Sequence, residues 1–552
     1  MENFKKFGND RPKRPKAIDG FVTGGNRSAG QRPAFKKPVK SYLPEASPIP
    51  TMKQKEGFHP YKQASIAPQR VVNVDEALGV GATTLPQAEP QEGKRKKKKE
   101  KKAKKPWSWK RRLLWGFVSI VVITGLVAGY LFAKGYINLH KVLKGGGGAP
   151  SLQKNVDPTK LNGEGDGRVN ILLLGKGGDG HTAPDLTDTL LVASIDPINN
   201  EAALLSIPRD LWVKNGYSTS KINAVYAFAK AAAMTGKKTP DQAKKAEEAG
   251  LTAIDSVVSK TMGIPIHYHI MVDFQAFQEA VNTVGGIDVN VTTPLRDTLW
   301  LEDTGKNYTI DVKPGVQHFD GRKALVYARS RYTSSRGDFD RTERQRAMIL
   351  ALKEKVLSLG TFGNPIKISQ LIGTFGNHVQ ANLTTNEIMR LYEISKLIPA
   401  SKVASVGLAD PPNNYVKTDN IGGASVVVPR AGTFNYTEIQ NYIRNTLKDG
   451  YIKKENPSIM VLNGTTSPGL ATTKANLLKS YGYNVTQVSD APTKNYQKTI
   501  IVDLRSGSKK YTKRYLEQRF NTTAVTSLPD NSISPGTADF VIILGQNEST
   551  TN

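Results

Sequence analysis

Five arginines and no lysine fall within Tyr327–Gln345, the run YARSRYTSSRGDFDRTERQ. They are Arg329, Arg331, Arg336, Arg341 and Arg344. A face meant only for solvent mixes both cations. Guanidinium throughout points instead to forked, bidentate recognition of an oxyanion. The first part, LVYARSRY, alternates like a strand, which places Arg329 and Arg331 on one side. After the turn-like SSRGD, Met348, Ile349, Leu352 and Val356 recur at helical spacing, and Asp340 with Glu343 resembles a capping pair at the helix start. On that helix Arg341, Arg344 and Gln345 share one face. Several guanidinium groups then converge on one place, which suits a pyrophosphate. The same residues also suit a surface salt-bridge network with Asp338, Asp340 and Glu343, and the stretch alone leaves both readings open.

A polyanion site of arginines usually takes a divalent cation, held by one or two carboxylates. The loop KGGDGHTAPDLTDT (176–189) offers Asp179, Asp185 and Asp188 between two strand-like runs. Asp188, directly before LLVAS, is the best placed to be held rigidly, although Asp in a Gly-rich loop is also a common turn former. Arg209 and Asp210 form a charged pair at the end of AALLSIP (202–208), where α/β folds build their sites. None of the 7 histidines forms a paired metal motif such as HExxH. With 0 cysteines, thiolate chemistry, Cys-ligated zinc and disulfides are excluded.

The elements that must position these groups alternate between strand and helix. VNILLLG (169–175), LLVASID (190–196), AALLSIP and IHYHIMV (266–272) read as strands. KINAVYAFAKAAA (221–233), 240–262 and FQAFQEAVNTVG (274–285) read as helices. The alternation predicts a three-layer α/β domain over 166–435 with a central mixed sheet. A helix-rich linker (436–456) then leads to a smaller α/β domain at 457–547.

The net charge of +29 is uneven, since 28 basic and 10 acidic residues precede position 113. Residues 1–93 are rich in Pro, Lys, Gln and Gly without apolar period, and are expected to be a disordered cytoplasmic tail. Residues 94–112 hold 13 Lys and Arg. Leu113–Ala133 is a run of 21 uncharged residues with tryptophans before it and tyrosines near its far end. Its length matches the roughly 30 Å apolar core of a bilayer, so a transmembrane signal anchor is expected. The polybasic segment keeps the N-terminus cytoplasmic and sends the rest outside, after a flexible spacer at 134–165. Attraction to anionic lipid explains the basic cluster better than nucleic acid does.

Together these pieces resemble the LytR-CpsA-Psr family of membrane-anchored cell-envelope proteins. The matching segments are NILLLG, TDTLLVASIDP, LSIPRD, KINAVYA, GIPIHYHIMVDFQAF, VGGIDVNV and GVQHFDGRKALVYARSR…DFDRTERQ. VLNGTTSPGLATTKANLLKSYGYNV similarly looks like the LytR-type C-terminal domain. The resemblance implies a phosphotransferase moving a glycopolymer from a polyprenyl-pyrophosphate carrier to a peptidoglycan hydroxyl, with Mg²⁺ (or Mn²⁺). It implies that Arg209, Arg329, Arg331, Arg341 and Gln345 hold the pyrophosphate, with Lys221 and Arg344 as further binding residues. Asp188 would bind the metal, and Asp210 and Asp338 would orient arginines or act as base. Two positions depart from the family pattern. Gly177 stands where an Asp is usual and Leu186 where an Arg is usual, so either Asp179 or Asp185 substitutes, with His181 as a further contributor, or the metal is held more weakly or the substrate differs. Two rival readings remain, a non-catalytic envelope scaffold and a membrane-anchored transcriptional attenuator. An exported domain cannot touch DNA, and no helix-turn-helix is evident.

Overall fold

The computed structural model describes residues 146–549 apart from 217, 237–238, 332–334 and 359–377. The expected tail, polybasic segment and membrane anchor lie outside the described residues. Among the described residues, no helix is long and apolar enough to cross a membrane.

Strands β1 (Val169–Lys176), β2 (Thr187–Asp196) and β3 (Glu201–Ser206) form an antiparallel meander. A short hairpin follows, made of β4 (Trp212–Lys214) and β5 (Thr219–Lys221). β6 (Tyr268–Asp273) returns parallel to β1. Next come two antiparallel ladders, β7 (Ile287–Val291) with β10 (Gly315–Phe319) and β8 (Leu295–Leu301) with β9 (Lys306–Val312). β11 (Val379–Ala381) lies antiparallel to β6, and β12 (Val403–Gly407) lies parallel to β3. The six-stranded sheet thus runs β11-β6-β1-β2-β3-β12 and is mixed, as expected.

Helices cover both faces. α1 (Val225–Ala233) and α2 (Pro240–Met262) pack on one face, while α3 (Phe274–Thr283), α4 (Gly321–Arg329), α5 (Asp338–Ser358) and α6 (Thr385–Lys396) follow later in the chain. β1 shows how the strand period builds the layers. Leu172 and Leu174 join Ile254, Val258 and Met262 of α2 in one buried cluster. Val169 and Ile171 turn the other way, onto Leu383, Ile394 and Ile398. The long α2 has conventional ends. The Thr239 hydroxyl accepts from Gln242 N, Pro240 opens the first turn, and Gly263 at φ +70° closes the helix.

A hairpin of β13 (Val416–Ile421) and β14 (Ala424–Pro429) precedes α7 (Thr437–Thr446) and α8 (Gly450–Glu455). The C-terminal sheet comprises β15 (Ser458–Asn463), β16 (Asn484–Asp490), β17 (Ile500–Asp503) and β18 (Phe540–Leu544), in the order β16-β15-β18-β17. It is packed by α9 (Leu470–Ser480) and α10 (Lys510–Phe520).

Four expectations need correction. LVYARSRY is not a strand: its first half completes α4, because the Asp320 carboxylate caps the helix through Lys323 N and its apolar residues are buried together. Only five of its residues, 325–329, lie in the helix, too short a window to reveal the period. KINAVYA does not open a helix at once, since Lys221 ends β5 and α1 begins at Val225 after one 3₁₀ turn. Residues 436–456 are no mere linker, because Ile439 and Ile443 of α7 are fully buried in the first domain's core. The described part of the spacer, 146–165, packs against both cores too. Ala149 and Leu152 pack under the sheet, whereas Val156 and Leu161 enter the C-terminal core beside Tyr451 and Ile452. Its glycines and polar residues hid a few widely spaced apolar anchors.

Candidate active site: an arginine cluster beside an apolar cavity

Asp188 is the second residue of β2, the loop after β3 supplies Arg209 and Asp210, β5 ends with Lys221, and the first turns of α5 carry Asp338 and Arg341. These converge. Arg209 Nη1 donates to Asp188 Oδ1 at 2.8 Å, and its Nε lies 3.6 Å from both Asp338 Oδ1 and Asp210 Oδ2. Arg341 Nη2 donates to Asp338 Oδ2 at 3.0 Å and to the Asp188 carbonyl at 3.2 Å. Lys221 Nζ reaches Asp210 Oδ1 at 2.8 Å. Asn223, unremarked in the sequence, donates to Asp188 Oδ1 at 3.2 Å. Its only signal was its place two residues after Lys221, on the turn that brings both to the site.

The electrostatics follow from burial and these partners. Burial pushes the Asp188 carboxyl up, but Arg209 and Arg341 outweigh it, so its pKa is held below the ordinary value. Burial opposes the Arg209 charge, yet Asp188, Asp338 and Asp210 together raise its pKa. For Arg341 burial wins: it is pushed down to about 10 despite Asp338, with Arg209 and Arg331 adding repulsion. Arg209 Nε, Arg341 Nε and Asp338 Oδ1 are sealed from solvent and make no hydrogen bond. Such orphaned groups are costly unless a ligand supplies partners.

The remaining arginines divide. Arg329 stacks over the Phe274 ring at 4.5 Å and faces Glu302 Oε2 at 3.6 Å. Arg331 adds its charge near Arg341, and its backbone amide donates to Asp297 Oδ2 at 3.2 Å. Because Arg329 ends α4 and Arg331 follows it, they do not share a strand face. Arg344 clasps the end of α4 through the carbonyls of Tyr327 and Ser330, so it positions the neighbouring arginines. Gln345 Nε2 donates to the Ala328 carbonyl at 3.3 Å. Arg336 is no free turn residue, for it meets Asp340, Glu343 and Asp410. Asp340 and Glu343 therefore clamp Arg336 and do not form a capping pair.

The three loop aspartates are not brought together. Lys176 and Lys230 hold Asp185 at 3.1 and 3.0 Å, Asp179 is exposed, and only Asp188 faces the arginines. Among the described residues, no group of three His, Asp or Glu side chains could hold a metal. The donor set fits a cation bound by one carboxylate and substrate phosphates, not a protein cage. At Gly177 a Cβ would lie 2.5 Å from the His181 ring, so His181 fills the room that a side chain at 177 would need. His181 Nε2 in turn lies 3.3 Å from Glu302 Oε1.

Beside the cluster is a cavity of about 290 Å³ between the sheet and α3, α4 and α5. Leu173, Ile270, Val272, Phe277, Met348 and Leu352 line it, with Arg329 and Gln345 in its wall.

Residues 139–433 match the LytR_cpsA_psr family model, more than half of the chain. The chain belongs to the LytR-CpsA-Psr family. Residues 456–547 match a second family, described as LytR cell envelope-related transcriptional attenuator. Bacillus subtilis TagV, named a polyisoprenyl-teichoic acid–peptidoglycan teichoic acid transferase, is 30% identical over 237 residues, covering 41% of this chain and 54% of that protein. This LytR-CpsA-Psr chain thus spans only about half the length of that relative. Corynebacterium glutamicum LcpA, a cell wall biosynthesis protein, is 25% identical over 441 residues, 71% of this chain and 79% of LcpA. The crystal structure of Bacillus subtilis TagV aligns with a TM-score of 0.38 at 25% identity, over 51% of this chain and 97% of TagV.

Proposed function

We propose that this chain transfers a glycopolymer from a polyprenyl-pyrophosphate carrier to a peptidoglycan hydroxyl on the outer side of the cell membrane. The observation that carries the reading is the apolar cavity with Arg329 and Gln345 in its wall, next to Arg209 and Arg341, whose Nε atoms make no hydrogen bond within the protein. A long isoprenoid needs an apolar slot, and its pyrophosphate needs forked donors at the slot's end. The relatives named teichoic acid transferases support the same chemistry.

In the step we propose, the acceptor hydroxyl attacks the phosphorus that bears the saccharide. A new P–O bond forms, the bond to the polyprenyl phosphate breaks, and the polyprenyl phosphate leaves. Arg209, Arg341, Arg329 and Arg331 take up the charge that develops on the phosphoryl oxygens. Asp338 is the better candidate to accept the hydroxyl proton, because Arg341 fixes its Oδ2 while its Oδ1 has no hydrogen-bond donor. Asp210 is engaged by Lys221 and Arg209 and orients them. Mg²⁺ (or Mn²⁺) would be held by Asp188 together with substrate phosphates, and would supply charge neutralisation on the pyrophosphate.

The run 113–133 would anchor the enzyme with its N-terminus in the cytoplasm. Mass spectrometry of lipids co-purifying with the full chain, paired with a transfer assay to peptidoglycan, tests the reading. Polyprenyl phosphates and chelator-sensitive transfer are expected. Neither bound polyprenyl phosphate nor transfer would leave the scaffold reading standing instead.

A further inference from the structure

The first described residues are tied to α6. Gly147 N donates to the Asn382 carbonyl at 3.2 Å, and Ala149 N to the Tyr268 hydroxyl at 3.1 Å. That hydroxyl donates in turn to Glu387 Oε1 of α6 at 2.5 Å, while Arg390 Nε of the same helix donates to the Leu152 carbonyl at 3.1 Å. Gly147 and Gly148 share the wall of a cavity of about 900 Å³ with Met389 and Arg390. The sequence sets how far this place stands from the apolar run, because Gly146 comes 13 residues after Ala133. However it is folded, such a stretch spans at most about 45 Å, and a flexible one averages about 20 Å.

α6 also has apolar residues to spare. Ile388, Leu391, Ile394 and Ile398 pack on the sheet. Met389 and the cap residue Leu397 are left 43% and 59% exposed, and among the described residues no other helix or strand leaves two large apolar side chains in solvent. Lys154 and Lys160 line the same cavity as Met389, and Lys396 adjoins Leu397; all three are exposed. The carboxylates here are engaged. Glu387 is taken by Tyr268 and the Thr384 amide, and Glu393 by Arg390 at 3.3 Å.

We propose that this face of α6 rests on the outer leaflet, with Met389 and Leu397 in the interface and the lysines on anionic headgroups. The inference rests on the membrane anchor and lipid-linked donor proposed above, and adds which face of the domain meets the bilayer. The short tether is the first support, since it holds α6 close to the membrane. The second is the uncovered apolar pair ringed by lysine. The third is what lies next to the helix. Leu173 and Ile270 line the apolar cavity and also pack against the cluster that α6 closes, so helix and cavity lie side by side on one face of the sheet. An isoprenoid drawn from the bilayer beside α6 then has the apolar cavity as its neighbour.

The chain has 0 cysteines, so one introduced thiol carries a fluorophore at a chosen place. Met389→Cys and Val316→Cys, the latter at a position 73% exposed on β10, are labelled in the full chain and reconstituted into vesicles of phosphatidylcholine and phosphatidylglycerol. Nitroxide lipids are expected to quench the label at 389 severalfold more than the label at 316, and aqueous iodide the reverse. Equal quenching at the two sites, or stronger lipid quenching at 316, overturns the docked face. A second arm reads function. Met389→Glu/Leu397→Glu should slow transfer from a long-chain carrier in vesicles about tenfold and leave transfer from a short-chain, water-soluble carrier unchanged. Equal loss with both carriers, or loss with neither, also overturns the proposal. The readings beneath it fail differently. Wild-type chain that alkaline carbonate strips from the vesicles removes the anchor and this inference with it. A wild type that transfers from neither carrier removes the proposed function, while the quenching arm still decides the docked face.

Discussion

Arg209 holds Asp188 through a 2.8 Å bond from Nη1 while its Nε faces Asp338 and Asp210 at 3.6 Å. One guanidinium thus ties the start of β2, the end of β3 and the start of α5 into a single plane of charge. Removing the Asp188 charge should loosen Arg209 and weaken metal binding together. Asp188→Asn is expected to lower transfer by about 10–100-fold and to shift Mg²⁺ dependence to higher concentration. A titration of activity against Mg²⁺ reads both effects. Because the Asp188 pKa is depressed by Arg209 and Arg341, the contribution of its ionised form should persist as pH falls through the ordinary carboxylate range and disappear only below it.

Charge alone should not replace the forks. Arg341 is 6% exposed in its side chain; its Nη2 already bonds Asp338 and the Asp188 carbonyl, so a ligand must be met by the further donors of the planar fork, Nε among them, which a single ammonium lacks. Arg341→Lys and Arg329→Lys are each expected to lower kcat by about 10²–10³, nearly as much as alanine. Arg336 meets three carboxylates away from the unpartnered atoms of the cluster, so Arg336→Lys should lower the thermal midpoint slightly and spare kcat. Steady-state kinetics and a melt on each variant separate the two behaviours.

The site was more legible than its supports. Arg209, Asp210 and Arg341 could be read because charged residues at strand ends and helix starts stand out against apolar runs, whereas Lys221 and Asp338 entered the site only through the family resemblance. Asn223 could not, since a single amide in a turn carries no pattern. The role of Arg344 depends on the path of α4, which local alternation misassigned. His181 against Gly177 pairs positions whose contact only the loop's fold reveals. The sheet came through because buried strands write long apolar runs, as in VNILLLG and FVIIL. The packed parts of the spacer and linker did not, because Val156, Leu161, Ile439 and Ile443 are isolated anchors within polar sequence.

The junction between the two folded parts should respond to pH. Asp449 is fully buried and accepts from the backbone amides of Gly165, Gly167, Tyr451 and Ile452 and from the Tyr515 hydroxyl. A Cβ on Gly167 would lie 2.4 Å from its carboxylate. Burial raises the Asp449 pKa from 3.8 to about 6 against those bonds. With the folded value above the unfolded one, its favourable contribution is fully present below about pH 4 and is lost as pH rises through about 6. The change is on the order of 2–3 kcal/mol. Denaturant unfolding of the wild type and of Asp449→Asn between these limits should show the slope only in the wild type. A matching slope in the variant would assign it to other groups.

Truncation should expose how far the parts depend on each other. A chain ending at 435 lacks Ile439, Ile443 and Leu447, all buried in the first domain's core, and is expected to show no cooperative thermal transition. A chain ending at 456 keeps them but uncovers Val156, Leu161, Tyr451 and Ile452. It should melt cooperatively, at a lower temperature than the full chain. Calorimetry on the two truncations distinguishes these outcomes, and equal behaviour would mean that α7 is dispensable.

The proposed lipid role of the apolar cavity can be separated from anion binding. Ala280 lines the apolar cavity from α3 and is only half-buried, so a larger side chain there can turn inward without breaking the sheet. Filling much of a 290 Å³ space with an indole should block an isoprenoid while leaving the arginines untouched. Ala280→Trp is expected to weaken binding of a long-chain polyprenyl pyrophosphate by about tenfold or more. Affinity for inorganic pyrophosphate should stay the same, because its phosphates meet only the arginine cluster. Direct binding measurements with both ligands on the folded variant check the split. Unchanged affinity for the long-chain ligand would place the lipid elsewhere and leave the cavity as a packing defect beside an anion site.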